Sequence, residues 1–303
     1  MNMNIRNDAP VLDLGNGTAL ISTTDFFEPV VDDLHDYGRI VSANIISDVY
    51  ARGGKPLTAT AILGWPSAHL TPETAIEVLD GARAICAEAG IILSEEHHIN
   101  TAERLFGLTV NGLVNTRQLI NNSNAAAGCR LYLTKPLGTG ILCTAHKMEI
   151  LRPNDATFAL KMMVTLNKSG ILFSEMESVK AMTTVNSFGL LGHLAEMCEI
   201  SGLSAVIDFH KVPAIHSLTY YLSQNCYSKG TYENWDNYGH KVSKLTEEQL
   251  NILADPQISG GLLVAVADEG VEKFEQFLVS NQINARSFGW LRKPTGGKLI
   301  EVI

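Results

Sequence analysis

The sequence predicts an α/β protein built from two domains. Its 303 residues exceed what one compact domain usually holds. Short β-rich runs alternate with helix-like patterns along the chain. Between residues 115 and 128 the sequence turns polar and then small, through Asn121-Asn122-Ser123-Asn124-Ala125-Ala126-Ala127-Gly128, as a connection between domains does. The expected domains are residues 1–115 and 125–303.

In chain order, residues 19–24 form a β-rich run, and residues 39–54 form a helix that Gly53-Gly54 ends. Residues 57–63 alternate threonine with apolar side chains and read as a strand. A second helix starts at Thr71-Pro72, an N-cap followed by proline at the first helical position, and stops at Gly90. Residues 106–114 alternate again. The second domain opens with a strand at 130–134 and a Pro136-Leu137-Gly138-Thr139-Gly140 loop, and residues 262–267 read as a fully buried strand. Residues 226–244, rich in Tyr, Asn, Gly and Lys, read as a long loop.

Acidic residues outnumber basic ones by 32 to 23, and no Lys/Arg cluster is interleaved with aromatics, so nucleic acid is not an expected partner. No apolar run approaches the roughly 18 residues of a membrane-spanning helix. The opening Met1-Asn2-Met3-Asn4-Ile5-Arg6 lacks a signal-peptide core, so a cytoplasmic location is expected. Cys86, Cys129, Cys143, Cys198 and Cys226 are odd in number and form no CxxC, which predicts reduced, mostly buried thiols. An acidic protein can still bind anionic phosphates when its carboxylates hold a bridging divalent ion.

On the first helix Asn44 and Asp48, four residues apart, share one face among Ile40, Val41 and Ile45. A carboxylate in such surroundings needs a cation, a metal or hydrogen-bond donors. A loop cap or an arginine pair would serve equally. Asp25 closes the 19–24 run and Asp8 sits in a turn, places where ligand-binding carboxylates and plain turn formers both occur. Three converging aspartates would suit Mg²⁺ and phosphate oxygens. The glycine-rich turns 138–140, 188–193 and 255–261 match neither a Walker A loop nor a dinucleotide fingerprint.

A resemblance unites these features. Asp13-Leu14-Gly15-Asn16-Gly17-Thr18, Ser22-Thr23-Thr24-Asp25, Asn44-Ile45-Ile46-Ser47-Asp48 and Gly53-Gly54-Lys55-Pro56 resemble the amino-terminal domain of the selenophosphate synthetase (selenide, water dikinase) family. Leu133-Thr134-Lys135-Pro136-Leu137-Gly138, Phe188-Gly189-Leu190-Leu191-Gly192-His193 and Asp255-Pro256-Gln257 with Ser259-Gly260-Gly261 match its second domain in the same order. The resemblance implies the two-domain α/β fold of aminoimidazole ribonucleotide synthetase, with the first domain completing a β-barrel in a homodimer. It also implies a reaction in which ATP, selenide and water give selenophosphate, AMP and phosphate, with Mg²⁺ as cofactor. Carried over, Asp8 and Asp48 would be metal ligands, and Asp25 and Asp48 would lie against the nucleotide.

The sequence also departs from the family. The glycine-rich segment with a catalytic Cys or selenocysteine and a Lys would lie before Met1, so no catalytic residue is assigned in this chain. Thr184 stands where the family has a further metal-binding Asp. The loop that reaches a partner subunit's nucleotide reads Glu95-Glu96-His97-His98-Ile99-Asn100 in place of Gly-Gly-His-Ser/Thr-Ile-Asp, and Asn7 replaces an Asp beside Asp8. Nucleotide contacts are therefore expected from Asn7, Asp25, Asp48, Glu96, His97 and His98. At most two of residues 95–98 could face one site on a strand, so a softer-metal site made from them is the lesser expectation. The expected outcome is a family member with dikinase activity impaired or lost, which binds ATP or ADP, or a partner. The rivals are an active dikinase with the missing segment supplied elsewhere, and a non-catalytic partner of a complete synthetase.

Overall fold

The computed structural model describes residues 9–66 and 71–303. Asn7 and Asp8 lie outside these residues, and the side chain of Glu95 is likewise not described. In the amino-terminal half, β1 (Val11–Asp13), β2 (Thr18–Phe27), β3 (Lys55–Trp65), β4 (Ile92–Asn100) and β5 (Leu105–Asn115) form one sheet in the order β1-β2-β5-β3-β4. Two helices, α1 (Leu34–Ala51) and α2 (Pro72–Ala89), supply the other layer.

Strand alternation decides which face they cover. Ala19, Ile21 and Thr23 on β2, Ala59, Ala61 and Leu63 on β3, and Phe106, Leu108 and Val110 on β5 are buried. The opposite face carries Leu20, Ser22, Thr24, Thr60, Ile62, Thr109 and Leu113, half-buried or exposed, with the Thr24 and Thr109 hydroxyls 2.9 Å apart. Glycines at mid-helix let the two helices cross closely: a Cβ on Gly38 would stand 1.9 Å from the Val78 carbonyl oxygen, and one on Gly81 would stand 1.9 Å from that of His35.

The second sheet is mixed, in the order β11-β8-β10-β6-β9-β7, from β6 (Arg130–Leu133), β7 (Val179–Thr184), β8 (Ser204–Ile207), β9 (Leu262–Val266), β10 (Ser287–Arg292) and β11 (Ile300–Val302). Every residue of β9 is buried, as its unbroken apolar run predicts. Following β6 come α3 (Thr139–Lys147), α4 (Pro153–Val164) and α5 (Ser169–Ser174). After β7 come α6 (Gly189–Ser201), α7 (Leu218–Leu222) and α8 (Lys229–Tyr238). Helix α1 also packs on α4, α5 and β7, so its buried surface belongs to both halves of the molecule.

Three elements differ from the sequence reading. Helix α1 begins at Leu34 rather than Arg39, because Asp33 caps it by accepting from the Asp36 amide at 2.7 Å before the apolar periodicity starts. Strand β2 runs to Phe27, so Asp25 lies within it rather than at its end. Residues 226–244 are not a long loop, since they contain α8, whose Ser228 cap bonds the Thr231 amide at 3.3 Å. The inner face of α8 is polar. Buried Asn234 donates to the carbonyls of Ser187 and Ala254, both at 2.9 Å, and such a helix leaves no apolar stripe to read.

Candidate metal and nucleotide site

Asp48 stands one turn below Asn44 on α1, half-buried where three elements meet. Its Oδ2 accepts from Thr23 Oγ1 of β2 at 3.0 Å, and its Oδ1 accepts from Thr184 Oγ1 of β7 at 3.0 Å. Asn186 Nδ2 lies 3.3 Å from Thr184 Oγ1. Asp48 therefore meets donors of the kind its surroundings require, these two being neutral hydroxyls. The neighbouring polar groups of α1 face the second domain: Asn44 Oδ1 accepts from the Ser259 amide at 3.0 Å, and Ser47 Oγ accepts from Asn167 Nδ2 at 3.0 Å.

Asp25 lies two residues beyond Thr23 on the same strand face, so it borders the same side of the sheet as Asp48. Its solvent-exposed carboxyl accepts from the Phe26 amide at 2.9 Å. Desolvation by the surrounding chain raises its pKa above the ordinary carboxylate value, and the Phe26 bond pulls it partly back.

The residues on β4 are not brought to Asp48 within one chain. In the sheet register Asp25 pairs with Leu108, Leu108 with Ala61, and Ala61 with Glu96. That row is three strand spacings, about 14 Å. Glu96 is ion-paired with Arg83 of α2, which also holds Asp80 at 2.8 Å, so its charge is largely met. His98 Nε2 is 3.8 Å from Glu96 Oε2 on the same face, while His97 falls on the other. Among the described residues the acidic and imidazole groups that converge as a metal site would are Asp33, His35 and Asp36. There Asp33 caps α1 and Asp36 pairs with Arg39 at 2.9 Å.

The glycine-rich turns support the site rather than open onto it. The Gly138 and Thr139 amides donate to Gln257 Oε1 at 2.9 and 3.3 Å, and the Gly140 and Ile141 amides donate to Asp255 Oδ2 at 3.1 and 3.3 Å. The α3 amino terminus is thus capped from within the fold. Burial pushes the Asp255 carboxyl up to about 8, against the pull of the Gln257, Ile141 and Gly140 donors. His193, buried in α6, accepts the Asn186 amide on Nε2 at 3.1 Å and is pushed down to about 4 by burial, so it is neutral at pH 7. The five cysteines are free and buried, as expected.

A cavity of about 230 Å³ lies elsewhere, between Val30, Val31, α3 and α4. Its lining residue Asp36 precedes Asp48 by three helical turns, about 18 Å along α1. No helix among the described residues is long and apolar enough to cross a membrane.

The groups described at Asp48 offer oxygen: its two carboxylate oxygens and the Thr23 and Thr184 hydroxyls, with Asp25 on the same strand face as Thr23. Such a set suits a hard divalent cation that keeps several waters and takes the rest of its shell from phosphate oxygens. The sequence reading singled out Asp48, Asp25 and Thr184 but missed Thr23, Asn186 and Asn167. The motif containing Thr23 offered a signal, since strand alternation puts Thr23 and Asp25 on one face.

The models of the AIR synthase related protein N-terminal and C-terminal domains match residues 6–114 and 126–300. The chain is 54% identical over 269 residues to a selenide, water dikinase of Pseudomonas putida, covering 89% of this chain and 78% of that protein. It is 48% identical to that of Photorhabdus laumondii over 98% of this chain and 86% of the relative. Among solved structures, thiamine-monophosphate kinase from Stenotrophomonas maltophilia superposes with a TM-score of 0.75 at 18% identity, over 99% of this chain and 90% of that one. The hydrogenase maturation protein HypE in complex with ATP superposes with a TM-score of 0.74 at 16% identity, over 98% and 85%. At such identities these two show the fold alone.

Proposed function

The chain belongs to the selenide, water dikinase (selenophosphate synthetase) family within the AIR synthase related fold, and on that premise we propose that it binds Mg²⁺ and ATP around Asp48 and turns over the family reaction slowly. One observation carries the reading. Asp48 receives hydroxyls from both domains, so the carboxylate read as the metal ligand meets a neutral hydroxyl at Thr184. A hydroxyl is a poorer ligand for Mg²⁺ than a carboxylate, and losing one charge at such a site weakens the hold on the polyphosphate.

Asp48 and Asp8 hold the metal in this reading, and Asp25 lies against the nucleotide. HypE, which shares the fold, has been solved with ATP. Mg²⁺, when bound, neutralises phosphate charge. Thr23 and Thr184 orient the carboxylate, and β7 closes the second domain over it. The protein acts in the cytoplasm as a homodimer, paired through the uncovered face of the first sheet. Asn7 serves the nucleotide beside Asp8, and Glu96, His97 and His98 serve the partner's nucleotide, since these three lie about three strands from Asp25 in their own chain. Titrating ATP with and without Mg²⁺ tests the assignment: Mg²⁺-dependent binding lost in Asp48→Asn supports it, and unchanged binding rejects it.

A second reading, full dikinase activity, is favoured by the 54% and 48% identity to proteins of that name. Turnover with selenide separates the two.

A further inference from the structure

Lys135 is buried in the loop after β6, 8% exposed, and its Nζ donates to the Thr165 carbonyl at 2.7 Å and the Ser259 carbonyl at 2.8 Å. No acid pairs with it among its described salt bridges or hydrogen bonds, and burial pushes it down to about 7. An ammonium removed from water and met by carbonyl dipoles is costly to keep. One of these dipoles is favourable for a cation, because Thr165 caps the carboxyl end of α4. The other belongs to a strained turn, in which Ser259 has a φ of +47° without being glycine.

That turn joins every part of the Asp48 site that comes from the second domain. The Ser259 amide donates to Asn44 of α1 at 3.0 Å, and Asn167 Nδ2 spans from Ser47 Oγ at 3.0 Å to the Gly260 carbonyl at 2.9 Å. On its other side the turn fixes the end of β7. The Val185 amide donates to Gly261 O at 2.9 Å, and the Gln257 amide donates to Asn186 O at 3.0 Å. No side chain fits between them, since a Cβ on Gly260 would stand 2.0 Å from Val185 O. Val185 is covalently next to Thr184, which bonds Asp48 at 3.0 Å.

We infer that Lys135 is a positioning residue for the Asp48 site, a buried amine that clamps the Ser259 turn to the end of α4 and so sets the reach of Thr184 to Asp48. The inference rests on the reading of Asp48 as the metal and nucleotide site. Lys135 touches neither ligand nor Asp48. It acts through the turn: Lys135 Nζ holds Ser259 O, the Ser259 amide meets the Asn44 side chain, and Gly261 O meets the Val185 amide. Removing the ammonium frees the strained turn to relax, and Thr184 then loses its fixed distance from the carboxylate.

The test uses the whole chain. Lysine-selective ¹⁵N NMR of the wild-type protein at pH 5.5, where Lys135 is protonated, is expected to show one ammonium with slowed proton exchange, which Lys135→Met abolishes. In Lys135→Met, hydrogen exchange at the Val185 and Ser259 amides should accelerate about tenfold or more, while the β5 amides stay as protected as before. Mg²⁺-dependent ATP affinity should fall about tenfold, as displaced site groups typically cause, with partial recovery in Lys135→Arg. Absence of a protected ammonium in the wild type overturns the clamp even if the variant fails to fold. Unchanged exchange at Val185, or unchanged ATP affinity in Lys135→Met, overturns it too. A wild-type chain that binds no ATP but shows the ammonium and exchange pattern supports the clamp and rejects the nucleotide reading, so the two failures are distinguishable.

Discussion

Thr184 Oγ1 donates to Asp48 Oδ1 across the domain boundary at 3.0 Å, so a neutral hydroxyl of the second domain meets the carboxylate of the first. A carboxylate at Thr184 would face Asp48 at nearly contact distance. At an effective dielectric near 20, two charges about 4 Å apart repel by about 4 kcal/mol before relaxation and water reduce it.

Thr184→Asp is therefore expected to destabilise the metal-free protein by roughly 1–3 kcal/mol and to recover stability in Mg²⁺ through linkage. Thermal unfolding with EDTA and with millimolar Mg²⁺ checks this. A variant whose melting temperature is insensitive to Mg²⁺ would show that position 184 is not beside a metal site.

Asp48→Asn should weaken Mn²⁺ or Mg²⁺ binding by at least about tenfold, and Asp25→Asn by clearly less, because the metal needs a negative oxygen and Asp48 alone is held by both domains. Water-proton relaxation with Mn²⁺ measures both. Equal losses in the two variants would contradict the ranking.

Much of this site was legible in the sequence because it lies on periodic elements. The four-residue spacing of Asn44 and Asp48 placed both on the inner face of α1, and Thr71-Pro72 and Gly90 gave α2 its true ends. Less legible was what closes the site. Asn167 and Ser259 reach α1 from segments more than a hundred residues away, through single hydrogen bonds that leave no local pattern. Helix α8 was missed for a related reason, since its buried face is polar where an apolar stripe would have been visible: Thr231 meets the Ser228 hydroxyl and Asn234 satisfies two carbonyls.

His193 makes stability depend on pH. Its pKa is about 4 in the fold and 6.5 ordinarily, so between those values the unfolded chain binds a proton that the folded chain does not. Stability contributed here rises from pH 4 to 6.5 and is flat above, by on the order of 3 kcal/mol. Asp255, held near 8 against an ordinary 3.8, binds its proton in the fold and opposes this slope over the same range. The comparison must therefore be with His193→Gln. The urea midpoint at pH 7 should fall relative to that at pH 4.5 in the variant, compared with the wild type, and an unaltered difference would refute the assignment.

A homodimer is expected from the uncovered sheet face, where Phe26, Ile92 and Ile99 are 53%, 76% and 54% exposed on the face that also carries the Thr24 and Thr109 pair. Sedimentation at micromolar concentration should give a dimer, and Thr109→Lys should shift it to monomer by burying an unpaired charge. A wild-type monomer would contradict the pairing.

The central claim is that the Asp48 site binds Mg²⁺ and ATP but is slow in the dikinase reaction, because position 184 gives it a hydroxyl where a carboxylate is needed. Phosphorus NMR of the purified protein with ATP, Mg²⁺ and selenide measures this directly. The account predicts ATP resonances perturbed by Mg²⁺-dependent binding, with selenophosphate forming at least about a hundredfold slower than in a Thr184→Asp variant, the usual cost of one missing electrostatic element. Selenophosphate and AMP growing together at equal rates in the wild type and Thr184→Asp, and absent in Asp48→Asn, would contradict it and make the chain a fully active dikinase.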